Sequence, residues 1–363
     1  MTERRHPRIA AGGKLLESGK LLESGKLLES GKLLESGTLS YDGALGRAAE
    51  ELRDRLLGAP AMIWPLTAHL SRAAGKLIRA SAVLTCAMTR DGQIPGDAGY
   101  LAAAVELLHL ATLVHDDIID GADRRRGLAT LHRKFGVKQA VLCGDYLFCL
   151  ALELAANIES GQARQARADR TRTDWTLPNY MSDILLGELR QDQNTGNFSL
   201  SERQYFRIIG GKTAAMFEAA CVAGFILSDE QESAREAFRE IGRNTGLVFQ
   251  LADDCADYEA TRKASKKPIL SDIKAGVVTL PLIVALKRDK SLLDRVKGGD
   301  RPAALRKAVA AAGGLAYTHQ KISEFHEKTV ALIAALPSSP EKKDRLAALL
   351  LRASGAAVPI KEE

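Results

Sequence analysis

Ala- and Leu-rich stretches punctuated by Gly and Pro run along most of the chain, and β-branched clusters bounded by turns are few, so an all-α fold is expected. The pattern predicts a helix over 42–57, stopped at Gly58-Ala-Pro60, and another running toward Gly75. Asp97, placed after Pro95-Gly96, reads as the N-cap of one long helix over 98–120. Gly136 breaks the next stretch, and Ala140 to Ile158 reads as a buried helix in which Asp145 is either a paired core carboxylate or a functional one. Residues 160–178 are polar and Arg-rich and read as a surface loop. Helices follow over Asn179–Gln193, from a Ser201 cap with Glu202 in its first turn, and over 231–258. In the last of these, Gly242 and Gly246 suggest close approach of another helix or of substrate. Beyond 291 the chain is amphipathic packing material, broken at Gly313-Gly314 and Pro337–Pro340.

Residues 13–36 repeat Gly-Lys-Leu-Leu-Glu-Ser four times. Six is not a helical period, so the Leu pairs rotate around any helix they form and build no stripe. Residues 1–37 are therefore read as a low-complexity, poorly ordered extension, with a partner-binding or membrane-touching role as the alternative. The folded domain is expected over 38–355, followed by a tail over 356–363.

Composition changes this picture little. The 363 residues suffice for a sizeable core, at 46% hydrophobic and 5% aromatic. No apolar run reaches the eighteen or so residues of a membrane span and no secretory leader is evident, so a chain that does not span a membrane is expected. Cys86, Cys143, Cys149, Cys221 and Cys255 form no C-x-x-C pair and read as buried thiols in a reducing cytoplasm. The net charge of +6 is spread out, and with few aromatics and no binding motif nucleic acid is not expected. That balance suits diphosphate substrates and a peripheral contact with anionic membranes, useful for product release.

The chemistry concentrates in carboxylates. Asp116 and Asp120 lie at i and i+4 on one helix face, about 6 Å apart, and two like charges so placed gain nothing without a cation between them. A lone Asp-Asp-x-x-Asp is more often a solvated helix end. A second copy, Asp253-Asp254-Cys-Ala-Asp257, again ends an apolar helical run and overturns that reading. The metal set is read as Asp116, Asp117, Asp120, Asp253, Asp254 and Asp257, and Mg²⁺ is the hard cation that carboxylates share with substrate phosphates. Lys76 and Arg79 share a helix face, and Gly121-Ala-Asp-Arg-Arg-Arg-Gly127 reads as a mobile loop of guanidinium groups suited to phosphate oxygens. Gly210-Gly-Lys-Thr213 is not a P-loop, because Phe206 stands where the leading glycine belongs and no strand precedes it. Two acidic clusters, these cations and apolar helix faces imply two diphosphates with Mg²⁺ above a greasy tunnel, the setting for ionising an allylic diphosphate.

At this point the chain resembles the trans-isoprenyl diphosphate synthases, or polyprenyl synthetases, from about 42 to 352. The resemblance rests on Gly75-Lys76-x-x-Arg79, Glu106-x-x-His109, Asp116-Asp117-x-x-Asp120, Arg125-Arg126-Gly127, Gly144-Asp145, Gly187-Glu188-x-x-Gln191, Lys212-Thr213-Ala214, Phe249-Gln250-x-x-Asp253-Asp254-x-x-Asp257 and Thr279-Leu-Pro281. It implies an antiparallel helical bundle around a central cavity, a homodimer, and head-to-tail 1′-4 condensation of isopentenyl diphosphate with an allylic diphosphate. By the same resemblance, Asp116, Asp120, Asp253 and Asp257 hold Mg²⁺ on the allylic diphosphate. Lys76, Arg79, His109 and Arg126 match the isopentenyl diphosphate contacts. Arg125, Lys212 and Lys267 match those to the allylic diphosphate, with Lys212, Thr213 and Gln250 along the path of the cation. The released diphosphate is thought to take the proton, so no protein base is needed.

The chain departs from the family pattern in places. Leu77 and Ala80 interrupt Gly-Lys-Arg-x-Arg-Pro, Lys266-Lys267 and Gly276-Val277 stand where Gly-Lys is usual, and Leu128 replaces a common lysine. Ala111 and Thr112, one turn before Asp116, are small where short-chain enzymes place an aromatic floor, and Leu107 and Leu108 follow one turn deeper. The expected product is a C30–C50 polyprenyl diphosphate of the kind that forms quinone tails, with C20 as the alternative. A terpene cyclase fits less well, since both aspartate motifs and the isopentenyl diphosphate cations are present. A non-catalytic partner subunit stays open through Val277 and Lys266.

Overall fold

A computed structural model describes residues 37–73, 75–160, 177–259 and 270–355. The hexamer repeat, residues 161–176, Lys266, Lys267 and the 356–363 tail lie outside them. Ser40 Oγ accepts from the Gly43 N–H at 3.2 Å and opens α1 (Tyr41–Leu57), which Gly58 ends. A Pro in its first turn starts α2 (Trp64–Leu70), and α3 (Ile78–Ala87) follows Leu77, whose φ is +49°. The strand pair β1 (Thr38–Leu39) and β2 (Ile94–Pro95) ties the start of the domain to the entry of α4 (Asp97–Ile119). Here Gly96 occupies the cap and Asp97 is the first helical residue, where its charge suits the positive helix end.

Past α4, β3 (Arg124–Arg125) and β4 (Leu128–Ala129) pair across a two-residue turn. Both turn residues, Arg126 at +49° and Gly127 at +83°, take the positive φ that a tight hairpin needs. The arginine stretch expected as a mobile loop is thus an ordered hairpin. It leads to α5 (Leu131–Phe135), α6 (Val137–Ser160) and α7 (Leu177–Gln193). Ser201 and Gln204 form a reciprocal capping box at α8 (Glu202–Ile209). A π-helical turn over Gly210–Ala214 separates α8 from α9 (Ala215–Leu227) where the pattern predicts an unbroken helix. Then come α10 (Arg235–Glu259), α11 (Ser271–Lys274), α12 (Leu280–Arg288), α13 (Leu292–Lys297), α14 (Pro302–Ala311), α15 (Gly314–Ala335) and α16 (Pro340–Ser354).

The fold is all-α, as expected. α4 runs through the centre, packed by α1, α3, α6 and α9, and most of its first two-thirds is buried. A second core gathers α8, α10, α12, α14 and α15. The α10 glycines do mark a helix contact: a Cβ on Gly246 would lie 2.6 Å from Ala214 Cα, and one on Gly242 2.7 Å from the Phe217 carbonyl. The cysteines are free, and all but Cys149 are buried. One expectation is corrected. Among the described residues, Asp97–Ile119, Val137–Ile158 and Glu202–Leu227 are long and apolar enough to cross a bilayer, at mean hydropathies of 1.3, 1.6 and 1.3. A few scattered polar residues break the uninterrupted runs without lowering the average below that of a span. In the bundle 67% and 89% of the first and third segments are buried, against 44% of the second.

Candidate active site

Both acidic motifs obey the same helical arithmetic. At 100° per residue the first and fourth-following aspartates share a face and the middle one turns away. Asp116 is half-buried and Asp120 exposed at the end of α4, whereas Asp117 is 6% exposed and accepts from Arg125 Nε at 2.7 Å. On α10, Asp253 is exposed and Asp257 half-buried, whereas Asp254 is 2% exposed. Asp254 Oδ1 accepts from Gln250 Nε2 at 2.8 Å and its Oδ2 from the Tyr205 hydroxyl. Of the six aspartates expected to face a metal, Asp116, Asp120, Asp253 and Asp257 are the more accessible ones. Asp117 and Asp254 already have protein partners. Asp257 also accepts from the Asp272 N–H at 3.3 Å, which ties it to α11.

Burial pushes the Asp116 carboxyl up to about 7; Glu188 and Asp120 push the same way, while Lys212 and Arg125 oppose them. A carboxylate so disfavoured in its charged form is one that a divalent cation would stabilise. The donor set is hard oxygen, as Mg²⁺ requires. Among the described residues no three ligating side chains gather on one point. Such pairs fit a metal whose remaining ligands are phosphate oxygens, with Asp116, Asp120, Asp253 and Asp257 as its protein holders.

The cations are arranged in two groups. Lys212, in the π turn, sits 2.8 Å from Glu188 of α7 and within electrostatic reach of Asp116. α7 lies directly against the backbone of the π turn: a Cβ on Gly187 would stand 2.2 Å from Lys212 N. Thr213 Oγ1 in the same turn donates to Gln250 Oε1 at 2.7 Å. The second group surrounds His109. Burial holds its imidazole well below the usual range, and Arg79, Arg126 and Arg125 add to that in order. Three guanidinium groups thus concentrate positive charge around one neutral imidazole.

Arg79 is 9% exposed with its guanidinium 4.9 Å above the Phe217 ring and 5.9 Å from that of Phe249, and its Nε has no hydrogen-bond partner. Burial lowers its pKa to about 10, partly offset by Glu106, so it stays charged at neutral pH. Arg126 donates to the Ala73 carbonyl at 3.1 Å, and Arg352 of α16 donates to the Lys76 carbonyl at 3.3 Å, holding the Lys76 loop from two sides. Lys76 itself is exposed and precedes α3, so it does not share a helix face with Arg79 as expected.

Other expected residues fall as follows. Leu107, Leu108 and Ala111 are fully buried on α4. Thr112 is half-buried and turns its hydroxyl back to the His109 carbonyl at 2.8 Å, so only its methyl can serve as wall. Asp145 is not a core carboxylate: its side chain is 58% exposed and meets His115 Nε2 at 3.3 Å. Lys267 lies outside the described residues. Sequence reasoning missed Tyr205, whose partner Asp254 is 49 residues away; no local signal announces such a contact.

The family model described as polyprenyl synthetase matches residues 61–312. The chain is 33% identical over 250 residues to an octaprenyl diphosphate synthase of Haemophilus influenzae, covering 67% of this chain and 73% of that one. It is 34% identical over 219 residues to heptaprenyl diphosphate synthase component 2 of Bacillus subtilis, covering 60% of each. The fold superposes on a Caulobacter crescentus polyprenyl synthase, solved with calcium and isoprenyl diphosphate, with a TM-score of 0.75. The identity there is 30%, over 86% of this chain and 95% of that one.

Proposed function

Since the chain belongs to the polyprenyl synthetase family, we propose that it is a Mg²⁺-dependent prenyltransferase. It would elongate an allylic diphosphate with isopentenyl diphosphate by 1′-4 condensation to a C30–C50 polyprenyl diphosphate. The observation that carries this reading is the matched division of the two acidic motifs, each with an accessible pair of aspartates and a buried third. Asp116 and Asp120 on one helix, with Asp253 and Asp257 on another, would grip the allylic diphosphate together with Lys212. When bound, Mg²⁺ supplies neutralisation of the leaving diphosphate. Arg79, Arg126, Lys76 and His109 would hold the second diphosphate beside it. As the allylic C–O bond breaks, Gln250 Oε1 and Thr213 Oγ1 stand along the path of the cation. The new C–C bond forms to isopentenyl diphosphate, and the released diphosphate takes the proton. The buried face of α4, with Ala111 and the Thr112 methyl, would form the wall along which the chain grows.

The exposed apolar residues of α6 and α7 support a homodimer, and the long apolar product supports a peripheral membrane contact. The free, mostly buried cysteines support a reducing, cytoplasmic setting. The resemblance to a protein named component 2, with Val277 in place of a lysine, supports a second reading in which a separate subunit is needed. Incubation of the purified chain with isopentenyl diphosphate, an allylic primer and Mg²⁺, followed by chromatography, tests the reaction, the product length and the need for a second subunit. Products of C30–C50 are expected; C20 as end product would favour the shorter alternative, and farnesyl diphosphate alone would sink the long-chain assignment. Elongation only after a partner is added would establish the two-subunit form.

A further inference from the structure

A line of buried hydrogen bonds leads from the core into the site. The Tyr205 hydroxyl on α8 donates to Asp254 Oδ2, Gln250 Nε2 donates to Asp254 Oδ1 at 2.8 Å, and Thr213 Oγ1 donates to Gln250 Oε1 at 2.7 Å. Tyr205, Asp254 and Thr213 are 3%, 2% and 7% exposed. Both Asp254 oxygens accept, from the Tyr205 hydroxyl and from the Gln250 NH₂, which leaves the Gln250 carbonyl oxygen turned toward Thr213. The threonine hydroxyl gives its hydrogen to that oxygen and keeps its lone pairs for the other side. Two neighbouring oxygens thus present electron density beside Lys212. An amide released from Asp254 would be free to turn its N–H groups the same way, opposing a developing positive charge.

We propose that Tyr205 and Asp254 are positioning residues that lock the Gln250 amide so that the Gln250–Thr213 oxygen pair faces the allylic cation. The proposal rests on the prenyl-transfer reading above. It removes Asp254 from the metal-holding set and assigns its effect to Gln250. Tyr205 supplies the second donor that keeps the carboxylate in place, since the two Asp254 oxygens are taken by different partners.

The test uses the full chain with Tyr205→Phe and Asp254→Asn; Tyr205→Phe, which removes one oxygen atom, also covers failure of the second variant to fold. We expect kcat to fall about 10-fold in Tyr205→Phe and about 100-fold in Asp254→Asn, the range typical of a displaced electrostatic group. The KM values and the Mg²⁺ concentration for half-maximal rate should stay within about 2-fold, as for an interaction made only in the transition state. Two probes read the cation directly by calorimetry in the presence of Mg²⁺. One is an allylic diphosphate analogue with an ammonium nitrogen in place of the reacting carbon, and the other is the thiolodiphosphate of the same length, which lacks that positive charge. Both variants should bind the ammonium analogue about 10-fold more weakly and the thiolodiphosphate unchanged. Equal weakening of both probes, an unchanged kcat, or an Asp254→Asn defect repaired by more Mg²⁺ would overturn the proposal. A wild-type chain that binds neither probe and elongates nothing would instead remove the prenyl-transfer reading, and the role of the relay with it.

Discussion

At Asp116 burial is the main cause of a carboxyl pushed up to about 7, helped by Glu188 and Asp120 against Lys212 and Arg125. In the folded chain without ligand this group keeps its proton between about pH 4 and 7, where the unfolded chain has lost it. The folded state then binds more protons, so Asp116 makes stability fall as pH rises through that window. Asp116→Asn should raise the thermal stability of the ligand-free protein at pH 8, by about 1 kcal/mol, while abolishing elongation. Because gripping a metal–diphosphate requires the charged form, the Mg²⁺ needed for half-maximal rate should climb as pH drops from 8 to 6. A requirement flat across that range would take Asp116 out of the grip. Ala111 makes a different residue-scale test. It has no exposed surface, so Ala111→Phe must push its ring into the proposed product path or into the core. The expected result is a product shortened by at least one five-carbon unit, with a stability cost of about 1–3 kcal/mol from overpacking. An unchanged chain length would exclude Ala111 from the wall.

Among the elements, α16 is held by a device the sequence does not advertise. Lys342 Nζ meets Glu230 Oε1 at 2.8 Å with both side chains fully buried, and Ser338 donates to the same oxygen. Burial pushes the Glu230 carboxyl up, but its bonds to Lys342 and Ser338 prevail and hold it below the usual carboxylate range. Its contribution is present above the unfolded value near 4.5 and is lost as pH falls through the lower folded value. Lys342→Met should cost about 3–5 kcal/mol by stranding a buried carboxylate, and adding Glu230→Gln should recover part of it; both are read from denaturant unfolding at pH 7. Equal stability of Lys342→Met and the parent would mean the pair stabilises nothing. The contrast with α4 and α10 shows what a sequence can disclose. Those helices were legible because long apolar runs end in carboxylates spaced by one turn, a local pattern. The π turn was not, because no local pattern in Gly210–Ala214 sets it apart from the helices on either side. Nor was the Arg126–Gly127 hairpin, since a cluster of arginines between glycines says nothing of which φ signs they adopt. The inward turn of Asp117 and Asp254 was implicit in helical geometry, but their partners Arg125 and Tyr205 are supplied by packing.

At the scale of the whole molecule, apolar surface is unevenly distributed. Val137, Val141 and Leu142 on α6 are 38–56% exposed, and Leu185, Leu186 and Leu189 on α7 are 43–52% exposed. The central apolar window of α6 is only 44% buried, although it is the most hydropathic of the three long segments. Repeated large side chains on two helices exceed the scattered exposure normal for a lone chain. If the proposed homodimer forms through these faces, a partner seated on α6, which packs along α4, would brace the helix that carries Ala111 and Asp116. Leu142→Glu combined with Leu186→Glu should convert a dimer to monomers in sedimentation experiments, since charges placed in an apolar interface must be desolvated. Because α4 would lose its brace, the monomer should also make a broader spread of product lengths than the parent. A variant that sediments as the parent does would deny these faces a role in self-association. Monomers with the parental product distribution would separate assembly from the ruler and leave α4 to set chain length alone.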